Sequence, residues 1–230
     1  MNAEERLIVA LDVPDVARAE RIVAQLGPAG RFYKIGYQLI PIGGLDLGAR
    51  LSAAGAKIFL DFKFHDIGAT VERGTASVAR RGADFLTVHA EEDVVKGAVA
   101  GKADDARLKI LAVTVLTSLD QAALARAGIS TPLPDLVLRR AEIAAEAGAD
   151  GVVASAQEAA AIKARFGDRF LIVTPGVRPS GAAVHDQKRV VTPKDALRAG
   201  ADYLVVGRPI TDAEDPAAAA RAIAAEMRGA

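Results

Sequence analysis

Two aspartates and a lysine lie within six residues of one another, where a predicted strand ends. Residues 57–62 follow a Gly-Ala turn and are rich in β-forming side chains. Because strand side chains alternate between faces, we expect Asp61 and Lys63 to project from the same face. Asp66 follows where the chain leaves the strand. Two acids around one lysine are costly to desolvate, so the pattern indicates either a structural ion-pair network or a catalytic array.

Two further charged residues lie at the ends of the first two predicted strands. Lys34 lies inside an apolar strand, where a lysine needs an acidic partner unless it snorkels to the surface. Asp12 either faces inward beside it or caps the helix that begins near Pro14. With Asp61 and Lys63, these residues would form an alternating array of lysines and aspartates.

The C-terminal part of the chain predicts a phosphate site. A long loop without helical or strand period, residues 177–191, contains Arg178 and Gln187, and loops of this length are usually functional. Gly207 and Arg208 end the last predicted strand, just before a short helix. Glycine lets backbone N–H groups approach an anion, and arginine can hold a phosphate with two hydrogen bonds. A surface arginine is the plain alternative for Arg208.

Eight strand-like runs alternate with helical patterns, and this alternation predicts a parallel sheet with right-handed crossovers. A Gly-Ala pair closes the preceding helix before four of them. Eight units fit a single (β/α)₈ TIM barrel spanning residues 1–230, with working groups at the strands' carboxyl ends. An open doubly wound sheet is the rival, but the turn after the first run lacks its glycine fingerprint. The runs are 7–12, 32–36, 57–62, 84–89, 108–116, 151–155, 170–174 and 203–207.

Composition excludes several classes of function. Among 230 residues, Lys+Arg and Asp+Glu are equal at 29 each, so no general attraction to nucleic acid or membrane is expected. There is no cysteine, which excludes disulfides and thiolate chemistry. The three histidines lack metal-ligand spacing, so no metal site is predicted. The polar N-terminus and the absence of a long apolar run predict a cytoplasmic protein.

An acid–lysine array facing a phosphate site suits a phosphorylated substrate whose charge changes beside a lysine. Proton transfer at carbon, aldol chemistry and decarboxylation all meet this description, and spacing does not choose among them. Thr117 and Ser118, at the end of the fifth run, either cap a helix or hold the polar edge of a ligand.

Segments along nearly the whole chain resemble the bacterial branch of the orotidine 5′-phosphate decarboxylase family. The Asp-x-Lys-x-x-Asp core alone is shared with sugar-phosphate enzymes, whereas the Asp-Gln-x-Arg and Gly-Arg-Pro-Ile segments are more specific. One departure is Gly68-Ala69, where the family carries Pro-Asn. The matching segments are Val9-Ala10-Leu11-Asp12, Tyr33-Lys34-Ile35-Gly36, Phe59-Leu60-Asp61-Phe62-Lys63-Phe64-His65-Asp66-Ile67, Leu116-Thr117-Ser118, Val173-Thr174-Pro175-Gly176-Val177-Arg178, Asp186-Gln187-Lys188-Arg189 and Val205-Val206-Gly207-Arg208-Pro209-Ile210.

This resemblance implies decarboxylation of orotidine 5′-monophosphate to UMP in pyrimidine biosynthesis, without metal or organic cofactor. Lys63 would protonate C6, Asp61 would lie against the substrate carboxylate, and Lys34 and Asp66 would complete the charge network. The active unit would be a homodimer in which Asp66, Ile67 and Thr70 reach the neighbouring subunit's site. The implied substrate-binding residues are Asp12, Lys34, Ile67, Thr70, Thr117, Ser118, Pro175, Arg178, Gln187, Gly207 and Arg208.

Two other functions stay open at this point. One is a Mg²⁺-dependent decarboxylase or synthase acting on keto-sugar phosphates, which would carry the same Asp-x-Lys-x-x-Asp core. The other is a non-catalytic barrel that binds a phosphorylated ligand. Binding phosphate alone does not require the Asp61–Lys63–Asp66 array, which argues against the second.

Overall fold

The eight predicted strands form a closed parallel barrel in the computed structural model, which describes residues 2–179 and 191–229. Each strand pairs with the next, and the first pairs with the last, so the sheet has no open edge. The predicted TIM barrel is therefore confirmed, and the open-sheet alternative is excluded. The strands are β1 (Leu7–Ala10), β2 (Phe32–Ile35), β3 (Lys57–Phe64), β4 (Phe85–His89), β5 (Lys109–Val113), β6 (Gly151–Val153), β7 (Leu171–Thr174) and β8 (Tyr203–Val206).

Helices connect the strands on the outside of the barrel. Two short 3₁₀ turns, Gly27–Ala29 and Ile40–Ile42, add to them. The α-helices of the described residues are α1 (Ala3–Arg6), α2 (Val16–Leu26), α3 (Gly44–Ala53), α4 (Gly68–Ala79), α5 (Glu92–Lys102), α6 (Gln121–Arg126), α7 (Leu133–Glu146), α8 (Ala156–Phe166), α9 (Pro193–Arg198), α10 (Arg208–Thr211) and α11 (Pro216–Arg228). Among these described helices, none is long and apolar enough to cross a membrane.

The four Gly-Ala turns end their helices as the sequence predicted. Gly55, Gly82, Gly148 and Gly200 all have φ between 70° and 107°, a left-handed conformation that glycine adopts without steric penalty. Each turn brings the chain directly to the start of the next strand. That all 230 residues form one domain stays a prediction, because residues 1, 180–190 and 230 lie outside those described.

The barrel has two separate apolar cores, which follow from the alternation of strand side chains. Inside the barrel, Phe32, Phe59, Phe85 and Tyr203 pack edge to face, with ring centroids 4.9–5.9 Å apart. The opposite faces of the strands pack against the helices; Ile58 and Leu60 of β3 belong to this second core. The filled interior supports the strand ends that carry the polar residues.

Three aspartates hold the opposite, amino-terminal end of the barrel together. Asp84, Asp150 and Asp202 each immediately precede an even-numbered strand. Each side chain accepts a hydrogen bond of 2.7–2.8 Å from a backbone N–H of the preceding strand. Each also pairs with a cation at 2.6–3.0 Å, the partners being Arg107, Lys102 and Lys163. Contacts at this end of a TIM barrel contribute to stability, whereas catalytic groups lie at the other end.

Candidate active site

Asp61 is the centre of a charged cluster at the carboxyl ends of the strands. Its Oδ1 lies 2.7 Å from Lys63 Nζ and accepts a 2.8 Å hydrogen bond from the Thr87 hydroxyl. Its Oδ2 lies 3.4 Å from Lys34 Nζ. Burial alone would raise the pKa of Asp61, but Lys34 and Lys63 together with these hydrogen bonds lower it. Asp61 is therefore an anion held between two cations.

Lys34 joins this cluster to Asp12. Its ammonium lies 2.9 Å from Asp12 Oδ1, and the lysine side chain is only 9% exposed. Burial would lower the pKa of Lys34, yet Asp61 and Asp12 outweigh it and raise the pKa. The helix-cap interpretation of Asp12 is wrong, because the N-cap of α2 is Asp15. The snorkelling interpretation of Lys34 is also wrong, because its buried ammonium lies between the carboxylates of Asp12 and Asp61.

Around Lys63, β3 departs from regular strand geometry. Between Leu60 and Phe64 the chain advances four residues while β4 advances only two, from Leu86 to Val88. Within this bulge Lys63 has φ of 47°, an uncommon conformation for a residue with a side chain. The regular alternation placed Asp61 and Lys63 on one face, but it gave no sign of the bulge.

Asp66, Ile67 and Thr70 lie outside the cluster within a single chain. All three are exposed, and Ile67 is 71% exposed. The Asp66 carboxylate accepts a hydrogen bond from the backbone N–H of Ile67 at 2.7 Å, rather than meeting Lys63. These three residues therefore make no contact with the cluster of their own chain among the described residues.

A cleft in two parts runs across the cluster. The first part, about 180 Å³, has mostly apolar walls and also includes Lys63, Thr117 and Ser118. The second part, about 360 Å³, is more polar, and its lining includes Asp12, Arg178, Gly207, Arg208 and Thr211. Both parts share the same boundary residues, namely Lys34, Asp61, Pro175 and Val205. The charged cluster thus lies between an apolar pocket and an arginine-lined pocket.

Most of the remaining predicted site residues line one of the two pockets. Thr117 and Ser118 line the apolar pocket, and the following helix α6 is capped by Asp120 instead. Arg178 is buried, whereas Arg208 is half-buried at the start of α10. Gln187 and most of the predicted loop lie outside the described residues.

Thr87 and Tyr37 contact the cluster, and sequence reasoning assigned neither to it. The Thr87 hydroxyl accepts a 3.0 Å hydrogen bond from the Lys63 N–H, besides donating to Asp61. The Tyr37 ring centroid lies 5.5 Å from Lys63 Nζ. The period-two pattern of β4 would have placed Thr87 inside the barrel, but only the barrel brings Tyr37 beside Lys63.

Two histidines lie at the edge of the cluster without forming a metal site. The rings of His65 and His89 stack with centroids 4.6 Å apart, and burial is the main cause that lowers the pKa of His89. Across residues 2–179 and 191–229, no three His, Cys, Asp or Glu side chains are grouped to hold a metal ion. A larger cavity of about 480 Å³ around Arg31 and Lys57, at the other end of the barrel, contains none of the predicted site residues.

The arrangement can bind a ligand with an apolar, flat end and an anionic end, and can stabilise negative charge between them. Two lysines, Lys34 and Lys63, line the apolar pocket, and Lys34 lies at its boundary with the second pocket. The Lys63 ammonium is the positive charge that belongs to the apolar pocket alone. It can therefore stabilise a carbanion formed there and then donate a proton. Asp61 keeps that ammonium in place and disfavours a second anion beside itself.

Comparisons with known proteins point to one family. The model of the orotidine 5′-phosphate decarboxylase / HUMPS family matches residues 5–223. An orotidine 5′-phosphate decarboxylase of Methylorubrum extorquens is 59% identical over 229 residues, covering 100% of this chain and 98% of the relative. One from Afipia carboxidovorans is 57% identical, covering 98% and 96%. A crystal structure of the Lactobacillus acidophilus orotidine 5′-phosphate decarboxylase is 40% identical, with a TM-score of 0.84, covering 96% and 98%.

Proposed function

The chain belongs to the orotidine 5′-phosphate decarboxylase / HUMPS family, and from that membership we infer that it is a carboxy-lyase. It converts orotidine 5′-monophosphate to UMP and carbon dioxide, the step that completes UMP synthesis in the pyrimidine pathway. The structural observation that best supports this function is the Lys63–Asp61 pair between an apolar pocket and an arginine-lined pocket. A nucleotide has matching parts in the same order: a flat base, a ribose and a phosphate.

We place the substrate along the cleft by the chemistry of its walls. The pyrimidine ring occupies the apolar pocket, where Thr117 or Ser118 hydrogen-bonds its polar edge and Pro175 contacts the ring. Asp12 and Lys34 hold the ribose hydroxyls at the boundary. The phosphate binds in the larger pocket, at the backbone of Gly207 and at the guanidinium groups. The phosphate-binding side chains of this proposal are Arg178, Gln187 and Arg208.

Decarboxylation in this placement uses the charges of the cluster directly. The substrate carboxylate lies beside Asp61, and two unit charges about 4 Å apart repel by about 4 kcal/mol at an effective dielectric near 20. The bond from C6 to the carboxylate breaks, its electron pair stays on C6, and carbon dioxide leaves. Lys63 stabilises this carbanion by its charge and then donates its proton to C6. The neutral lysine regains a proton from water.

We propose that the active unit is a homodimer in which Asp66, Ile67 and Thr70 complete the site of the neighbouring subunit. The exposure of these residues at the start of α4 supports this proposal, as does the Asp66 carboxylate, which contacts no lysine of its own chain in the described residues. In a symmetric dimer both sites receive the same contribution.

Mixing two inactive variants tests the shared site. Lys63→Ala and Asp66→Ala subunits are each expected to form inactive homodimers. In a mixed dimer, one site combines Lys63 from one subunit with Asp66 from the other and is intact. After random exchange of equal amounts, about half of the dimers are mixed and each has one intact site of two. The mixture should therefore reach about a quarter of the activity of the same amount of wild-type protein. If both residues act within one chain, no mixture regains activity, and the shared site is refuted.

The reaction itself is tested by following the ultraviolet absorbance of orotidine 5′-monophosphate with purified protein in EDTA. Loss of the substrate band with formation of UMP supports the proposed reaction without a chelatable metal. No reaction, in protein shown to be folded, would instead favour the Mg²⁺-dependent keto-sugar-phosphate activity or a barrel that only binds. The full-length relatives named orotidine 5′-phosphate decarboxylase do not favour either alternative. A cytoplasmic location stays a prediction from the sequence.

A further inference from the structure

The proposed acid, Lys63, has a backbone conformation that its surroundings must hold. Its φ of 47° lies in the left-handed region, and among the described non-glycine residues only Ala103 also has a positive φ. Such a conformation costs free energy for a residue with a side chain, so it persists only where neighbouring contacts determine it. The position of the Lys63 ammonium therefore depends on what fixes its backbone.

Thr87 fixes the amide side of Lys63. Its hydroxyl accepts the hydrogen bond from the Lys63 N–H at 3.0 Å, so the hydroxyl proton is free to point at Asp61 Oδ1, 2.8 Å away. The same Oδ1 accepts the hydrogen bond from Lys63 Nζ at 2.7 Å. Thr87 is fully buried, so water does not compete for these contacts. One hydroxyl thus connects the backbone of Lys63 to the carboxylate that holds its ammonium.

Tyr37 fixes the other side of the same peptide unit. Its hydroxyl donates a 2.6 Å hydrogen bond to the Phe62 carbonyl, which belongs to the peptide whose N–H is bound by Thr87. Its ring also faces the Lys63 ammonium at 5.5 Å from the centroid, a distance at which a cation is attracted to the ring. Burial and the nearby Asp61 raise the pKa of Tyr37, so its hydroxyl keeps the proton that it donates.

We propose that Tyr37 and Thr87 are positioning residues that together set the plane of the Phe62–Lys63 peptide and so direct the Lys63 ammonium at C6. The inference rests on the proposed decarboxylase function, and it adds two residues that touch Lys63 rather than the substrate. With the carbonyl and the N–H of one peptide both bound, rotation of that peptide breaks two hydrogen bonds at once.

Three substitutions separate positioning from general stability. Thr87→Val removes both hydrogen bonds with little change of shape, and Thr87→Ser keeps the hydroxyl. Tyr37→Phe removes only the bond to Phe62. We expect kcat to fall about 10- to 100-fold in Thr87→Val and about 5- to 10-fold in Tyr37→Phe, with Thr87→Ser within about threefold of wild type. The matched control is Tyr33→Phe, which removes a tyrosine hydroxyl bound to the Gly30 carbonyl at the other end of the barrel and should leave kcat unchanged.

The affinity for UMP distinguishes positioning from a loss of structure. UMP needs no proton from Lys63, so its dissociation constant should stay within about twofold of wild type in all three variants. A structural role would weaken UMP binding along with kcat. Tyr37 is 62% exposed, so Tyr37→Phe is expected to fold even if Thr87→Val does not, and it tests the proposal by itself.

Hydrogen exchange of the Lys63 amide tests the backbone contacts without any substrate. Exchange in unliganded protein should be faster in Thr87→Val and Tyr37→Phe than in wild type and Tyr33→Phe. Unchanged exchange would overturn the proposal that these residues hold the peptide. Faster exchange with wild-type kcat would overturn the link to positioning. Wild-type protein that does not decarboxylate orotidine 5′-monophosphate would overturn the proposed function, while the exchange result would still decide whether Tyr37 and Thr87 hold the peptide.

Discussion

Replacing Lys63 with alanine is expected to abolish turnover while leaving the barrel folded. The ammonium contributes a unit charge about 4 Å from the developing carbanion, worth about 4 kcal/mol at an effective dielectric near 20, or about 10³ in rate. Its role as a general acid contributes a further factor of about 10²–10⁴. Together these effects predict a fall in kcat of about 10⁵ or more.

The fold should tolerate this change because Asp61 keeps two partners. Lys34 at 3.4 Å and the Thr87 hydroxyl at 2.8 Å still hold its carboxylate. The lost contact, from a side chain that is 23% exposed, should lower the free energy of unfolding by about 1–2 kcal/mol, a fall of about 2–8 °C in Tm.

The assay follows the ultraviolet absorbance of orotidine 5′-monophosphate, with Tm and UMP affinity measured on the same samples. The matched control is Lys57→Ala, which removes an exposed lysine from the opposite end of β3 and should keep wild-type kcat. Turnover of Lys63→Ala within tenfold of wild type, in folded protein, would refute the role of Lys63.

Three further predictions concern other parts of the molecule. Arg208→Ala should lower kcat/KM for the nucleotide about 10- to 100-fold, because it removes a charged hydrogen bond to phosphate. It should leave turnover of the nucleoside orotidine, which has no phosphate, unchanged. An unaltered kcat/KM for the nucleotide would contradict the phosphate role. Asp202→Ala should lower the free energy of unfolding by about 1–3 kcal/mol, because it removes the partner of Lys163 and of the Ile172 N–H. Denaturant unfolding measures this change, and kcat should stay the same. Loss of kcat at wild-type stability would count against a structural role. The lowered pKa of Asp61 adds stability that is complete above about pH 4, its unfolded value, and is lost as pH falls through the lower folded value. The difference in Tm between wild type and Asp61→Asn should therefore be constant above pH 4 and shrink below it, and a difference that grows on acidification would show the opposite sign of linkage.

The amino-acid sequence by itself predicted the order of strands and helices, a barrel as the favoured fold and most of the polar residues that line the cleft. These follow from local properties, namely period-two alternation, glycine at helix ends and the requirement that strands alternating with helices form a parallel sheet. The same alternation alone predicts that Asp61 and Lys63 share one face. The family resemblance came from short segments in the right order, and the comparisons confirmed it.

Only the tertiary structure decided which of these residues meet. Asp12 pairs with Lys34 instead of capping a helix, Asp66 lies on the surface, and Thr87 and Tyr37 hold the peptide before Lys63. Local spacing does not contain this information, because each contact joins strands or loops whose separation is set by closure of the barrel. The bulge in β3 is the clearest case, because its two extra residues and the positive φ of Lys63 depend on how β3 pairs with β4.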